Sequence, residues 1–365
     1  MAFQPRYPIL TPQRFTIISS KRYCPTQTLG TTALQARTHL AAFHTTPVRA
    51  MKGARVTSWG APPEYMTVPD LPAPLPNQLQ LKVLAVGVPR AVRGRAECKH
   101  PSAFGAPLPF DPSADGVGVD EATGDRYFIN TLAAPLFAER ANVDRSQLVK
   151  LNAAADPVTV AALANPTASS WMALRCRATG GCQGRTVVIV GATSASGRAG
   201  IAVARALGAA RTVGVARDPD TLAKVEGLDD RVLLPAHPDE PLVLPPSIGP
   251  VHIVLDWVGG PAAVQLLQSA QTEPGENLQY IQVGGLAGHD TLVIPSRLIN
   301  IKPICIMASG VGSLSGEDLK REMPGLVNTI TTMRRPFEVF AAPMADVQSV
   351  WNSEEAQSKR LVLIP

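Results

Sequence analysis

Residues 186 to 217 constrain the chain more than any other stretch, because they read without interruption as strand, Gly/Ser/Ala turn, helix and second strand. Thr186 to Val190 is a run of β-branched residues closed by Gly191, as a buried strand requires. Arg198 to Leu207 is Ala-rich with no breaker after Gly200, which predicts a helix, and Arg211 to Val215 predicts the next strand. A strand that feeds directly into a helix leaves the first helical N–H groups unpaired above the sheet edge, where they can hold an anion. The turn reads Gly191-x-x-Ser194-x-x-Gly197, a variant of the dinucleotide-binding fingerprint with serine at the middle glycine. Gly191, Ser194, Ala195, Ser196 and Gly197 are therefore candidate phosphate contacts, against the plainer reading of a tight βα turn that binds nothing.

The end of the second strand selects between cofactors. An acidic side chain there takes the ribose 2′-OH of NADH, whereas an arginine accommodates the 2′-phosphate of NADPH. Ala216 stands where the acid would be and Arg217 follows, which favours NADPH. Asp218, one residue on, keeps NADH as the competing reading.

The formal charge of +5 suggests nucleic acid until it is located. Residues 1–50 hold six basic side chains and no acidic one, so the other 315 residues carry a net charge of −1. Phosphate backbones are bound by Lys and Arg, and a nearly neutral main body argues against that use. The acid-free, Arg- and Ser/Thr-rich leader, without a continuous apolar core, has the composition of a mitochondrial transit peptide. The expected location is the mitochondrial matrix; a disordered tail, or a cytoplasmic protein starting at Met51, is the alternative. No run approaches the ~18 to 20 apolar residues of a membrane span. The five cysteines form no Cys-x-x-Cys pair, which suggests reduced thiols.

Around the central stretch the pattern changes twice. Met51 to Val88 contains a strand-like start, a Pro-rich connection and the alternating run Leu79 to Val86, and Asp115 to Val119 and Arg126 to Asn130 continue it, predicting an all-β module. Pro157 to Arg175 turns helical with a break expected at Asn165-Pro166. Further strands are expected at 231–234, 251–256 and 278–283, with helices near 261–271 and 319–333 and a last strand at 360–364 returning to the β module. Apolar strands alternating with helices imply a parallel sheet covered on both faces.

This order of parts resembles the medium-chain dehydrogenase/reductase superfamily, most closely its zinc-free quinone oxidoreductase-like branch. Met51-Lys-Gly-Ala, Ala85-Val-Gly-Val, Asp115-Gly-Val-Gly, Asn165-Pro166 with the Ser169-Ser-Trp stretch, the turn at 191–197, Leu255-Asp-Trp-Val-Gly, Val283-Gly-Gly and Lys359-Arg-Leu-Val-Leu carry the resemblance, over about 51–365. It implies an α/β fold: a GroES-like β-rich catalytic domain over 51–165, completed by 310–365, and a Rossmann-type doubly wound parallel sheet domain over 166–309. Residues 1–50 would be the leader. Zinc-dependent members place Cys-His directly after the Ala-x-Gly-Val strand and Gly-His-Glu at the Asp-Gly-Val-Gly motif. Here Pro89-Arg90 and Ser113-Ala114-Asp115 stand instead, so only Asp115 offers one of the three ligands a catalytic zinc needs. Cys98 and His100 lack a third partner. No metal is expected.

Without a Lewis acid, reduction of an electron-poor C=C remains the accessible chemistry, with hydride from NADPH and a proton for the resulting enolate. The expected activity is reduction of quinones or α,β-unsaturated carbonyls. An enoyl-thioester reductase and a nucleotide- or RNA-binding protein without turnover are the alternatives. By resemblance, Ser169 and the backbone at Gly284 and Gly285 line the nicotinamide end, and Arg90 is placed to aim a cation at the substrate oxygen or else is a surface loop residue. The Asn or Tyr often found after the Ala-x-Gly-Val strand and the Tyr often found after the third strand of the nucleotide domain are absent, which leaves the proton donor open. The resemblance also implies a homodimer paired through the edge segment Ile299 to Met307.

Overall fold

The computed structural model describes residues 50–365 apart from 238, 239 and 290, so the transit-peptide reading lies outside the described residues. The described residues all fall in one compact unit. Its first part runs β1 (Ala50–Arg55), β2 (Glu64–Pro69), β3 (Gln78–Gly87), α1 (Arg90–Ala96), β4 (Gly116–Val119), β5 (Arg126–Ile129), β6 (Arg140–Asp144) and β7 (Leu148–Lys150). The long helix α2 (Pro157–Met172) leads into β8 (Thr186–Val190), α3 (Ala195–Ala206), β9 (Arg211–Ala216), α4 (Pro219–Ala223) and β10 (Asp230–Leu233). Then come β11 (Ile253–Asp256), α5 (Pro261–Ser269), β12 (Leu278–Gln282), α6 (Ser296–Ile301), β13 (Ile304–Ala308) and α7 (Gly316–Thr332). The chain closes with β14 (Val339–Pro343), the short helices α8 (Val347–Val350) and α9 (Glu354–Ser358), and β15 (Arg360–Ile364).

Two sheets carry the fold. A seven-stranded sheet has the order β14-β15-β3-β4-β5-β7 with β6 also on β3, so the last strand does return to the β module, antiparallel to β3. The six-stranded sheet is parallel throughout in the order β10-β9-β8-β11-β12-β13. Counted within that sheet this is 3-2-1-4-5-6, the doubly wound order of dinucleotide-binding folds. All five residues of β8 are buried, Val187 and Ile189 in one core and Val188 and Val190 in the other, because successive side chains leave a strand on opposite faces. Helix α2 joins the two sheets: Ala161, Ala162 and Leu163 share one core with Ala85 and Val117 of the β module and Ile189 of β8.

Three local expectations need correcting. Pro166 does not break the helix; α2 continues through it to Met172 and then loosens into a π-helical turn at Ala173–Arg177. Pro166 is buried and α2 is packed by α3, α7 and β3, so tertiary contacts outweigh the one missing N–H. The β module is not all-β, since α1 follows β3. The segment 299–307 is not one strand: Ile299 to Ile301 end α6, and Pro303 precedes β13.

Candidate nucleotide site at the turn of the parallel sheet

In a doubly wound sheet the chain leaves the first strand in opposite directions, and the crevice above the carboxyl ends at that point is where ligands bind. Here the point lies between β8 and β11, and the turn 191–197 stands on it. Gly191 has φ +88, a conformation costly for any residue with a Cβ. Gly197 is required for a different reason: a Cβ there would lie 2.2 Å from the Gly191 carbonyl oxygen and 2.8 Å from the Ala192 Cα. Only glycine lets α3 pack this close to the end of β8.

Ser194 serves the helix more than the ligand. Its hydroxyl accepts from the Gly197 N–H at 3.0 Å and donates to the Gly191 carbonyl at 2.8 Å, capping α3. The following N–H groups, of Ala195 and Ser196, open the helix and have no intrahelical partner. They form the open N-terminal end of a 12-residue helix, the kind of end that favours an anion.

At the end of β9, Ala216 is buried and Arg217 is exposed. Asp218 caps α4, its carboxylate accepting from the Thr221 N–H at 2.6 Å, and the side chain and then the backbone N–H of Thr221 hold its pKa below the usual range. The residue that could have argued for NADH is thus used locally, while Arg217 and Thr221 line a cleft of about 640 Å³. Gly191, Thr193, Ser194 and Arg90 share that cleft. Its described lining contains two arginines and no carboxylate.

The opposite wall depends on a residue to which the sequence patterning assigns no role. Asp256 ends β11, is fully buried, and accepts from the N–H groups of Val258 at 2.6 Å and Gly259 at 3.0 Å and from the Tyr280 hydroxyl at 2.8 Å. Burial raises its pKa, opposed by these donors. The turn it holds puts Val258 and Gly259 into the cleft. Gly284 packs on this turn, where a Cβ would come within 3.2 Å of the Trp257 carbonyl, and the loop continues into Leu286, Ala287 and His289 on the cleft wall. An acid at a strand end shortly before the pair Gly259-Gly260 is the available sequence signal; His289 has none.

The remaining candidates divide. Arg90 is not a loop residue but the first residue of α1, exposed and lining the same cleft. Ser169 lies inside α2, which runs unbroken through Pro166, and its hydroxyl donates to the Pro166 carbonyl at 2.8 Å, so its own helix already satisfies it. At the positions where zinc-dependent relatives carry ligands, Pro89 and Ala114 are buried without donor atoms. Cys98 and His100 bond within their own loop, to the Ala103 carbonyl and to Ser102. Among the described residues, no three His, Cys, Asp or Glu side chains gather to hold a metal, and no helix is long and apolar enough to cross a membrane.

No family model matches the chain. It is 47% identical over 355 residues to tdiC of Emericella nidulans, which bears the name "probable NADPH-dependent quinone reductase", with 86% of this chain and all of that one covered. The quinone oxidoreductase of Thermus thermophilus, also solved with NADPH, superposes at a TM-score of 0.66 and 22% identity over 86% of this chain and all of that one. The Etr1p/NADP/crotonyl-CoA complex gives 0.67 at 15% identity over 87% of this chain and all of that one. With nearly half the aligned residues identical to a relative matched from end to end, and with the 3-2-1-4-5-6 sheet and glycine turn in place, this chain belongs to the medium-chain dehydrogenase/reductase superfamily, in its quinone oxidoreductase-like branch.

Proposed function

We propose that the protein is a zinc-independent, NADPH-dependent oxidoreductase that reduces quinones or α,β-unsaturated carbonyls. The observation that carries the reading is the cleft at the sheet's turning point, which combines the open N-terminus of α3 with two arginines and has no carboxylate among its described lining residues. That donor set fits a polyanionic dinucleotide. The quinone class is supported by the 47% identical relative, and the same likeness weighs against an enoyl-thioester reductase or an RNA-binding protein without turnover.

The bound cofactor would supply a hydride. The chain's own residues would do the rest: the Ala195 and Ser196 N–H groups would hold the bridging phosphates, and Arg217 with Thr221 would take the 2′-phosphate. The backbone of Val258, Gly259, Gly284 and Gly285 supports the nicotinamide end. Arg90 sits in the nucleotide cleft, which favours a role toward the anionic cofactor over one toward the substrate oxygen. Purified protein should oxidise NADPH with members of a panel of quinones and enones, contain less than one zinc per chain, and keep its rate after treatment with a chelator. Stoichiometric zinc, or activity that a chelator abolishes, would overturn the metal-free reading; no turnover with any acceptor would overturn the reductase.

A homodimer is proposed on the same footing. Among the described strands β13 pairs only with β12, leaving one sheet edge open, and Ile299, Ile301 and Ile306 beside it are exposed. Apolar open edges are normally covered or paired. Met307 packs into the protomer's own core, so these isoleucines rather than Met307 would form the seam. Light scattering at micromolar concentration should give twice the chain mass; a single-chain mass with activity retained rejects the pairing.

A further inference from the structure

The short turn after β11, residues 257–260, supports more of the cleft than its own lining residues. Val258 and Gly259 line the cleft directly. The Leu286 N–H donates to the Trp257 carbonyl at 2.9 Å and the Ala287 N–H to the Val258 carbonyl at 3.0 Å, so two further lining residues hang on the same turn. The turn also meets the opposite wall, since a Cβ at Gly191 would lie 3.3 Å from Val258 Cγ2 and 3.6 Å from Trp257 Cβ. Behind it the Trp257 ring reaches α3, where a Cβ at Gly200 would come within 3.0 Å of Cη2. Any displacement of this turn therefore changes the spacing between the two walls.

A buried pair fixes the turn. Asp256 divides its two oxygens: Oδ1 accepts both turn N–H groups, from Val258 at 2.6 Å and Gly259 at 3.0 Å, and Oδ2 accepts from the Tyr280 hydroxyl at 2.8 Å. Both side chains belong to residues with 0% exposure. Tyr280 stands in β12 opposite Val254 of β11, on the face that Val254 shares with Asp256, so the phenol reaches diagonally along the neighbouring strand. Its ring belongs to the core that Val188, Val190 and Val254 share, and phenylalanine would fill that place equally well. The hydroxyl adds nothing to the packing, and burying it is costly unless it is bonded. Without it, Oδ2 of a buried carboxylate loses its donor. The carboxylate could then recover a partner only by rotating, which takes Oδ1 off the two turn N–H groups.

We propose that Tyr280 is a positioning residue for the dinucleotide: through Asp256 it holds the turn, and with it Val258, Gly259, Leu286 and Ala287, at the spacing that admits the cofactor. The proposal rests on the reading of this cleft as the NADPH site. Tyr280 is buried in the sheet and is not among the described lining residues, so it acts by fixing the rotation of one carboxylate. The turn lies away from Arg217 and cannot tell a 2′-phosphate from a 2′-hydroxyl. Its loss should therefore weigh on NADPH and NADH alike, unlike the loss of Arg217.

Tyr280→Phe keeps the ring and removes only the hydroxyl. In fluorescence titrations it should bind both NADPH and NADH about tenfold more weakly, near the low end of what a hydrogen bond to an ionised group contributes. Hydrogen exchange should quicken at the amides of Val258, Gly259, Leu286 and Ala287 while those of β8 keep their protection. Asp256→Asn is the conservative control, because its amide oxygen can still accept from the two turn N–H groups while its NH2 donates to the Tyr280 hydroxyl. Its affinity should stay within about threefold of the unmutated protein, whereas Asp256→Ala should lose at least about tenfold. Unchanged affinity in Tyr280→Phe overturns the positioning role, whatever happens to its melting temperature or to exchange elsewhere in the sheet. An Asp256→Asn protein as weak as Asp256→Ala also overturns it, since the charge rather than the hydrogen-bonded geometry would then matter. An unmutated protein that binds neither cofactor overturns the reading of the cleft itself, while one that binds NADPH no better than Tyr280→Phe does overturns the pair alone.

Discussion

Replacing Arg217 with alanine should erase a cofactor preference that in the unmutated protein favours NADPH over NADH at least tenfold. A hydrogen bond to an ionised group contributes roughly 1.5 to 3 kcal/mol, and about 1.4 kcal/mol is already a factor of ten. Arg217 is exposed, so solvent screening puts its effect at the low end of that range. Two neighbours sharpen the expectation. Ala216 offers nothing to the ribose, and the Asp218 carboxylate is committed to the Thr221 N–H, so no acid is left at the strand end to favour NADH. The loss in Arg217→Ala should therefore fall on NADPH alone, with NADH affinity unchanged. Fluorescence titration of both cofactors at low and high salt measures it. Equal dissociation constants in the unmutated protein would sink the assignment, and a preference that does not weaken with salt would mean that something other than this guanidinium carries it.

The same substitution, glycine to alanine, should have opposite signs at two helix beginnings. Gly197 sits in the first turn of α3 with the Gly191 carbonyl and Ala192 Cα, both backbone, inside the space a methyl group needs. Neither can swing aside, so α3 must move away from β8. Overpacking of this kind costs about 1 to 3 kcal/mol when side chains can adjust, and the upper end is expected where they cannot. The displaced helix also carries off the N–H groups of Ala195 and Ser196, so NADPH affinity should drop at least tenfold. Gly316 opens α7 with nothing within 4 Å of the place a methyl group would take, and alanine there should stabilise by about 0.5 to 1 kcal/mol. Denaturant midpoints of the two variants, with NADPH titration of Gly197→Ala, test both halves; a Gly197→Ala protein with normal stability and affinity would show that the close approach of α3 is not needed.

The sheet strands are legible in the sequence where the chemistry is local. Thr186 to Val190 can be recognised because both faces of β8 are buried and every residue must be apolar or β-branched. The fingerprint turn is legible because Gly191 has a backbone conformation costly for any other residue and Gly197 has no room for a Cβ. Ser194 stands out for a partly different reason from the one that holds: it occupies the middle position of the fingerprint, and the structure uses its hydroxyl to cap α3. Pro166 misleads, since a proline's local cost says nothing of the packing that α2 receives from α3, α7 and β3. The edge segment expected over 299–307 misleads likewise, because apolar residues next to an edge serve a helix end and a strand equally well.

By itself, then, the sequence determined the strand–turn–helix–strand unit over 186–217, its glycine turn and the arginine at the end of β9, all set by residues within a few positions of one another. What only the tertiary structure decided is which distant residues share a site. Arg90 reaches the nucleotide cleft because α1 is carried there by β3. Ser169 is turned inward to its own helix. Asp115 meets Thr131, Asn165 and Arg360 only because β4, the loop after β5, α2 and β15 converge. Burial and electrostatic environment belong to that convergence and to no single segment, and burial there raises the pKa of a carboxyl that would be an ordinary surface acid elsewhere.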